Sequence, residues 1–183
     1  MSYDVALAKA WLDLEGITKE KKFSISLLTD EYEIDLDNKR ILSLACNVQA
    51  KTHVSIILLH YLKKKLKGLP QIDLEWMPFN QLEGGSGYYP AFEKRVLQPL
   101  VRKYGDNPEA ILDNLSRINA KKAEFKDVSI QVDVLEGVSF LVTLQKADDE
   151  FGPEVNILFN KSIKEVFSTE DIVVLAEFIA SAL

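Results

Sequence analysis

Over residues 3–15, apolar side chains at Val5, Ala8, Trp11, Leu12 and Leu14 recur at a spacing that predicts an amphipathic helix stopped by Gly16. The period then shortens to two. Phe23, Ile25 and Leu27 alternate with serines, Tyr32, Ile34 and Leu36 alternate with Glu33 and Asp35, and Arg40 to Leu44 forms a third such segment. Asp37-Asn38 marks a turn between the last two. The three segments therefore predict an antiparallel meander whose wet face carries Glu31, Glu33, Asp35 and Asp37. The helical period returns after Thr52, read as the cap of a helix from His53 to Lys67 that ends at Gly68. Val54, Ile56, Ile57, Leu58 and Leu59 make its first half apolar nearly all round, which predicts burial. Lys63, Lys64, Lys65 and Lys67 complement the negative end of its dipole.

A mixed segment with Leu74, Trp76, Met77 and Phe79 leads into Glu83-Gly84-Gly85-Ser86-Gly87-Tyr88-Tyr89-Pro90. Three glycines within four residues predict a loop with unusual backbone angles, and Pro90 suits the first turn of a following helix. Phe92, Val96, Leu100 and Tyr104 form that helix's inward stripe, Pro99 predicts a kink or break, and Gly105 ends it. Asn107-Pro108 opens another helix with Ile111, Leu112, Leu115 and Ile118 inward. Val128 to Val134 and Val138 to Leu144 alternate on either side of Glu136-Gly137, which predicts a tight hairpin, and Val155 to Phe159 reads as a further strand. Ser168 with Asp171 forms a capping-box pattern before a last helix running to about Ala182. With no repeat, linker or low-complexity tract, the pattern predicts one α+β domain over residues 1–183, strand meanders packed against helices.

Composition narrows the classes. The chain has 183 residues, 47% hydrophobic and 27% charged, enough to bury a core without disulfides or structural metal. A net charge of −6 lowers the prior for nucleic-acid binding, and the one basic cluster, Lys63 to Lys67, has no interleaved aromatic for base stacking. Cys46 is the single cysteine, so no internal disulfide or cysteine-rich zinc or iron–sulfur site is expected. Its place at the end of a strand segment predicts a packed, non-catalytic thiol. The start of the chain lacks the features of a secretory signal, and the longest apolar run, Val54 to Leu62, is interrupted by Ser55 and His60. A cytoplasmic protein with no membrane contact is the expectation.

His53 and His60 are seven residues apart on one helix, on a shared face but too distant for one ion to take both directly. His60 lies beside Ile56, Lys63 and Lys64, where a hydrogen-bonded structural role competes with a place in a site. Asp148, Asp149, Glu150 and Glu154 lack the order of a calcium loop and read as a solvated turn. Ser86 stands between Gly85 and Gly87, yet Tyr88 occupies the position where a nucleophile elbow needs glycine, and Pro90 breaks a dinucleotide fingerprint. What remains is a glycine-rich loop entering a helix, where free N–H groups favour an anion. Tyr88, Tyr89 and Trp76 lie near it as stacking surfaces and Arg95 as a cation.

At these residues the chain resembles an uncharacterised prokaryotic family, domain of unknown function thirty-seven eighty-six. The resemblance rests on Leu58-Leu59-His60-Tyr61-Leu62, the Trp76 to Phe79 segment, and Gly84-Gly85 followed by Tyr88 and Phe92. It also rests on Ile157-Leu158-Phe159 and the closing Glu170-Asp171 helix. The family has no established activity. Members joined to cysteine-rich iron–sulfur modules imply electron transfer or corrinoid chemistry for those members, whereas this chain carries no such module.

The expectation for function is an accessory module that binds an anionic, partly planar small molecule or cofactor of undetermined identity. The site residues are Gly84, Gly85, Ser86, Gly87, Tyr88, Tyr89 and Arg95, with Trp76 and His60 as further lining, and no catalytic or metal-binding residue is assigned. The alternative is a subunit that docks on a metabolic enzyme through the apolar stripe of helix 3–15 or an exposed strand edge.

Overall fold

The structure, a computed structural model, describes residues 3–72 and 75–183, so Leu74 of the mixed segment lies outside the described residues. Helix α1 (Tyr3–Leu12) carries two apolar stripes, and of the residues the spacing suggested only Trp11 and Leu14 turn inward. Ala10, Trp11 and Leu14 are buried with Leu7 packed beside them, whereas Val5 and Leu12 are 57% and 60% exposed and Ala8 is exposed too. Residues 5, 8 and 12 share a face just as residues 7, 11 and 14 do, so helical spacing alone does not choose between them.

Strands β1 (Lys22–Leu27), β2 (Asp30–Asp35), β3 (Arg40–Ser43) and the short β4 (Val48–Gln49) form an antiparallel meander in that order. Ile25 faces Tyr32 and Ile34 faces Ile41 across it, which places the apolar sets on one side. Asp35, expected on the wet face, is instead buried. Its carboxylate accepts from the Asn38 backbone N–H at 3.0 Å and side-chain amide at 2.9 Å. Those hydrogen bonds close the turn and hold the carboxyl below its usual range. Cys46 is exposed in the turn between β3 and β4, not packed at a strand end.

Helix α2 (Thr52–Lys67) starts one residue earlier than expected, with Lys51 rather than Thr52 at the N-cap, and ends at Gly68 with φ +99. Its first half is buried from Val54 through Leu59, as an all-round apolar stretch requires. Tyr61 donates its hydroxyl to the Glu136 carbonyl at 2.8 Å, and burial together with nearby Glu136 pushes its phenol up to about 12.

Strand β5 (Trp76–Pro78) and a 3₁₀ turn at Phe79–Gln81 lead into helix α3 (Gly85–Phe92). The glycine-rich stretch is thus the start of a helix, not a loop. Gly84 supplies the left-handed N-cap (φ +70), and Gly85 passes so close to the preceding turn that a Cβ there would lie 2.1 Å from the Phe79 carbonyl oxygen. Pro90 falls in the second turn of α3 rather than the first and denies the Ser86 carbonyl its usual donor. Glu93–Leu97 is a π turn, closed by the Gln98 N–H bonding back to the Glu93 carbonyl, and α4 (Gln98–Tyr104) restarts with Pro99 in its first turn. The break expected at Pro99 therefore takes the form of one widened turn, while Phe92, Val96, Leu100 and Tyr104 all remain buried. Pro108–Arg117 is 3₁₀ rather than α, with Ile111 and Ile118 buried and Leu112 and Leu115 half-buried.

The second sheet adds β6 (Ala120–Ala123), β7 (Val128–Leu135), β8 (Val138–Gln145) and β9 (Glu154–Asn160), in the spatial order β5-β9-β8-β7-β6, all pairs antiparallel. Gly137 (φ +76) makes the tight turn that pairs Leu135 with Val138. A hydrogen bond of 2.8 Å from the Leu28 N–H to the Val134 carbonyl joins the meander to this sheet. Helices α5 (Ile163–Val166) and α6 (Thr169–Ala182) close the chain, α6 behind the capping box of Ser168 and Asp171. The fold is α+β, with α2, α6 and both sheets contributing to one hydrophobic cluster. No helix of the described residues is long and apolar enough to cross a membrane.

Candidate functional site

The buried face of α2 turns at its edges toward α6, and two clefts open there. The first, about 290 Å³, lies between Ile56 and Ile57 of α2 and Val173 and Val174 of α6, with His53, His60, Tyr88, Arg95, Glu170 and Glu177 as its polar and aromatic wall. The second, about 330 Å³, is bounded by Lys9, Asp13, Lys63 and Lys64. The two share Ala6, His60, Ser168 and Asp171, so His60 and Asp171 stand where they meet.

Asp171 is 5% exposed and is held by the local structure of the helix start. Its Oδ2 accepts from the Ser168 N–H at 3.1 Å and the Ser168 hydroxyl at 2.8 Å, while the Asp171 N–H donates to Ser168 Oγ at 3.3 Å. The same oxygen faces His60 Nδ1 at 2.9 Å. An ionised carboxylate only accepts, so Nδ1 carries the hydrogen, and in the neutral ring Nε2 is then the acceptor. The cap that starts α6 thus also fixes the orientation of a histidine on α2.

Arg95 comes from the π turn. Its Nη1 lies 3.4 Å from the Tyr88 hydroxyl, to which it donates, and 3.6 Å from Glu177 of α6. Tyr88 and Arg95, seven residues apart along the helical run, fall on one face of it, which sets the guanidinium beside the phenol. In the second cleft Lys63 donates to Asp13 at 2.8 Å, and that hydrogen bond, helped by the charges of Lys63 and Lys9, holds the Asp13 carboxyl below its usual range. His53 stacks on Phe178 with ring centroids 5.6 Å apart. Burial, and then the Lys51 charge, holds its imidazolium below the usual 6.5, with Glu177 opposing. A lowered folded value means that the unfolded chain takes up the proton more readily. The stabilisation is full above pH 6.5 and is lost as pH falls from there through the folded value. Thermal melts should therefore show wild type losing more stability than His53→Gln between pH 7.5 and pH 5, the variant being lower at pH 7.5 because the Phe178 stack is gone.

Of the residues singled out in the sequence, His60, Tyr88 and Arg95 come together at the first cleft, and the others lie outside its lining. Gly84, Gly85 and Gly87 start α3, where the Gly85 N–H is already taken by the Leu82 carbonyl at 2.9 Å. Ser86 donates its hydroxyl to the Asn80 carbonyl at 3.0 Å. Tyr89 packs on Phe79 and Phe92 at 6.5 and 6.3 Å, and burial raises its phenol. Trp76 pairs with Asn160 in the second sheet. His53, Asp171 and Glu177 join the site without being among the residues expected in it. The shared face of His53 and His60 was a signal for the first. The capping pattern located Asp171 without hinting at its second partner, 111 residues away. Among the described residues no group of three His, Cys, Asp or Glu side chains is placed to hold a metal ion. Asp148 closes its own turn by accepting from the Glu150 and Phe151 N–H groups at 2.9 and 2.7 Å.

A family model described as Domain of unknown function (DUF3786) matches residues 7–182. No curated protein and no solved structure matches the chain.

Proposed function

The chain belongs to the DUF3786 family, and we propose that it is a binding module for a small molecule that spans the two clefts between α1, α2 and α6. The ligand has an anionic group at the Lys9–Lys63–Lys64 end and a planar part against Tyr88 and His53. The meeting of the two clefts at His60 and Asp171 carries the reading. One end has an apolar floor with two aromatic side walls, and the other has three lysines against two carboxylates, Asp13 and Asp171. Each cleft is near the lower limit of ligand-site volumes, about 300 Å³, and together they suit a molecule of nucleotide size. Glu170 and Glu177 in the first cleft favour a planar group that itself donates hydrogen bonds.

A thermal-shift screen of mononucleotides, flavin mononucleotide and aromatic carboxylates tests this. A binder present at a hundred times its dissociation constant stabilises the fold by about 2.7 kcal/mol. The same compound should bind roughly tenfold more weakly to Lys64→Glu, about 1.4 kcal/mol for reversing one half-buried charge beside the anion. No shift with any planar anion at millimolar concentration, or equal binding to Lys64→Glu, contradicts the reading.

A further inference from the structure

We infer that His60, oriented by Asp171, accepts a proton from the molecule or the water held at the junction of the clefts, which makes the site catalytic. The inference rests on the binding reading above. A buried histidine kept only for packing satisfies both ring nitrogens within the protein. Here Asp171 accounts for Nδ1 alone, and the side chain is 33% exposed in the wall of both clefts. The partner carboxylate is 7% exposed and fixed by the helix cap, so the ring is held at a set angle rather than swinging with solvent. A charged group in that position orients the imidazole and balances the imidazolium that forms when Nε2 takes a proton.

The step balances within the site. An O–H bond of the ligand or of water breaks, an N–H bond forms at Nε2, and the electron pair stays on the oxygen, which becomes the nucleophile. With water as the source of that oxygen and an ester as substrate, the oxygen bonds to the acyl carbon, the bond to the leaving oxygen breaks, and the leaving oxygen takes the proton back from Nε2. One water is consumed and no other reactant is needed. Lys9 and Lys64 line the second cleft and supply the positive charge that a developing anion requires, while Arg95 and Lys63 face Glu177 and Asp13. The substrate class is thus an acyl ester or a molecule with an ionisable hydroxyl that also bears an anion.

Hydrolysis of p-nitrophenyl acetate by the full chain supplies the test, in a Cys46→Ser background that removes the exposed thiol as a competing nucleophile. His60→Gln should lower the rate about a hundredfold, the low end of general-base effects. Asp171→Asn should lower it as well and change its pH profile, because the amide no longer enforces the tautomer. The charges that bear on that profile are Lys9 and Asp13 from the α1 side, Lys63 and Lys64 on α2, Arg95, and Glu170 and Glu177 on α6. Nitrogen-15 spectra of the histidine rings at pH 8 give a readout independent of turnover, with hydrogen expected on Nδ1 of His60. Equal rates for wild type and His60→Gln, or hydrogen on Nε2, overturn the proposal. If His60→Gln loses the rate but still binds the screened ligand, both readings stand. If it keeps the rate while ligand binding is intact, only the catalytic reading falls.

Discussion

Gly85→Ala should destabilise the protein by about 3 kcal/mol, at the upper end of overpacking effects, and lower the melting temperature by roughly 6–12 °C. The added Cβ would sit 2.1 Å from the Phe79 carbonyl oxygen and 3.3 Å from Leu82 Cβ. The first contact is with backbone, which cannot swing aside as a side chain can. Phe79 is itself fixed, stacked on Phe92 at a centroid distance of 4.0 Å and edge-on to Phe159 at 6.3 Å. To make room, the 3₁₀ turn or the start of α3 must move, and either displaces that aromatic cluster. Gly87 provides the contrast. A Cβ there meets nothing within 4 Å, and Gly87 is not among the residues with positive φ. Gly87→Ala should be neutral or stabilising by up to about 1 kcal/mol from helix propensity. Thermal or urea unfolding of the two variants checks the pair, and equal melting temperatures would show that the close approach at Gly85 is not real.

Asp171→Ala should cost about 3 kcal/mol, again read by unfolding, because one oxygen serves three donors. The change strips the acceptor from the Ser168 N–H, the Ser168 hydroxyl and His60 Nδ1 together. A lost cap accounts for about 1 kcal/mol of this, and the lost hydrogen bond from His60 to a charged acceptor accounts for the rest. These parts are coupled through one atom and will not add when His60 is also replaced. Asp171→Asn keeps an acceptor oxygen for the cap and should cost about 1 kcal/mol. The double variant His60→Gln with Asp171→Ala should therefore be less destabilised than the sum of the single changes.

The parts legible in the sequence were those governed by local periodicity. The all-apolar first half of α2, the Phe92 to Tyr104 stripe, the hairpin at Gly137 and the cap of α6 each carry their signal within a few turns. Where two local readings compete, sequence does not decide. The two apolar stripes of α1 are equally periodic, and three clustered glycines read as a loop although one of them is there to admit a carbonyl at a helix start. Strand β6, with Lys121 and Lys122 at its centre on a sheet edge, has no apolar alternation to announce it. The site followed the same division. His60, Tyr88 and Arg95 are chemically conspicuous residues and could be named individually. Their assembly depends on α6 packing across α2, which brings Asp171 to His60 over 111 positions and Glu177 to Arg95.

The most direct measurement of the binding site is a crystallographic soak with the compound that gives the largest thermal shift. The compound is expected between α2 and α6, its planar part within contact of Tyr88 and His53, its anion near Lys9 or Lys64, and a hydrogen bond to His60 Nε2. A compound seated elsewhere, with His60 still open to solvent, would contradict that expectation.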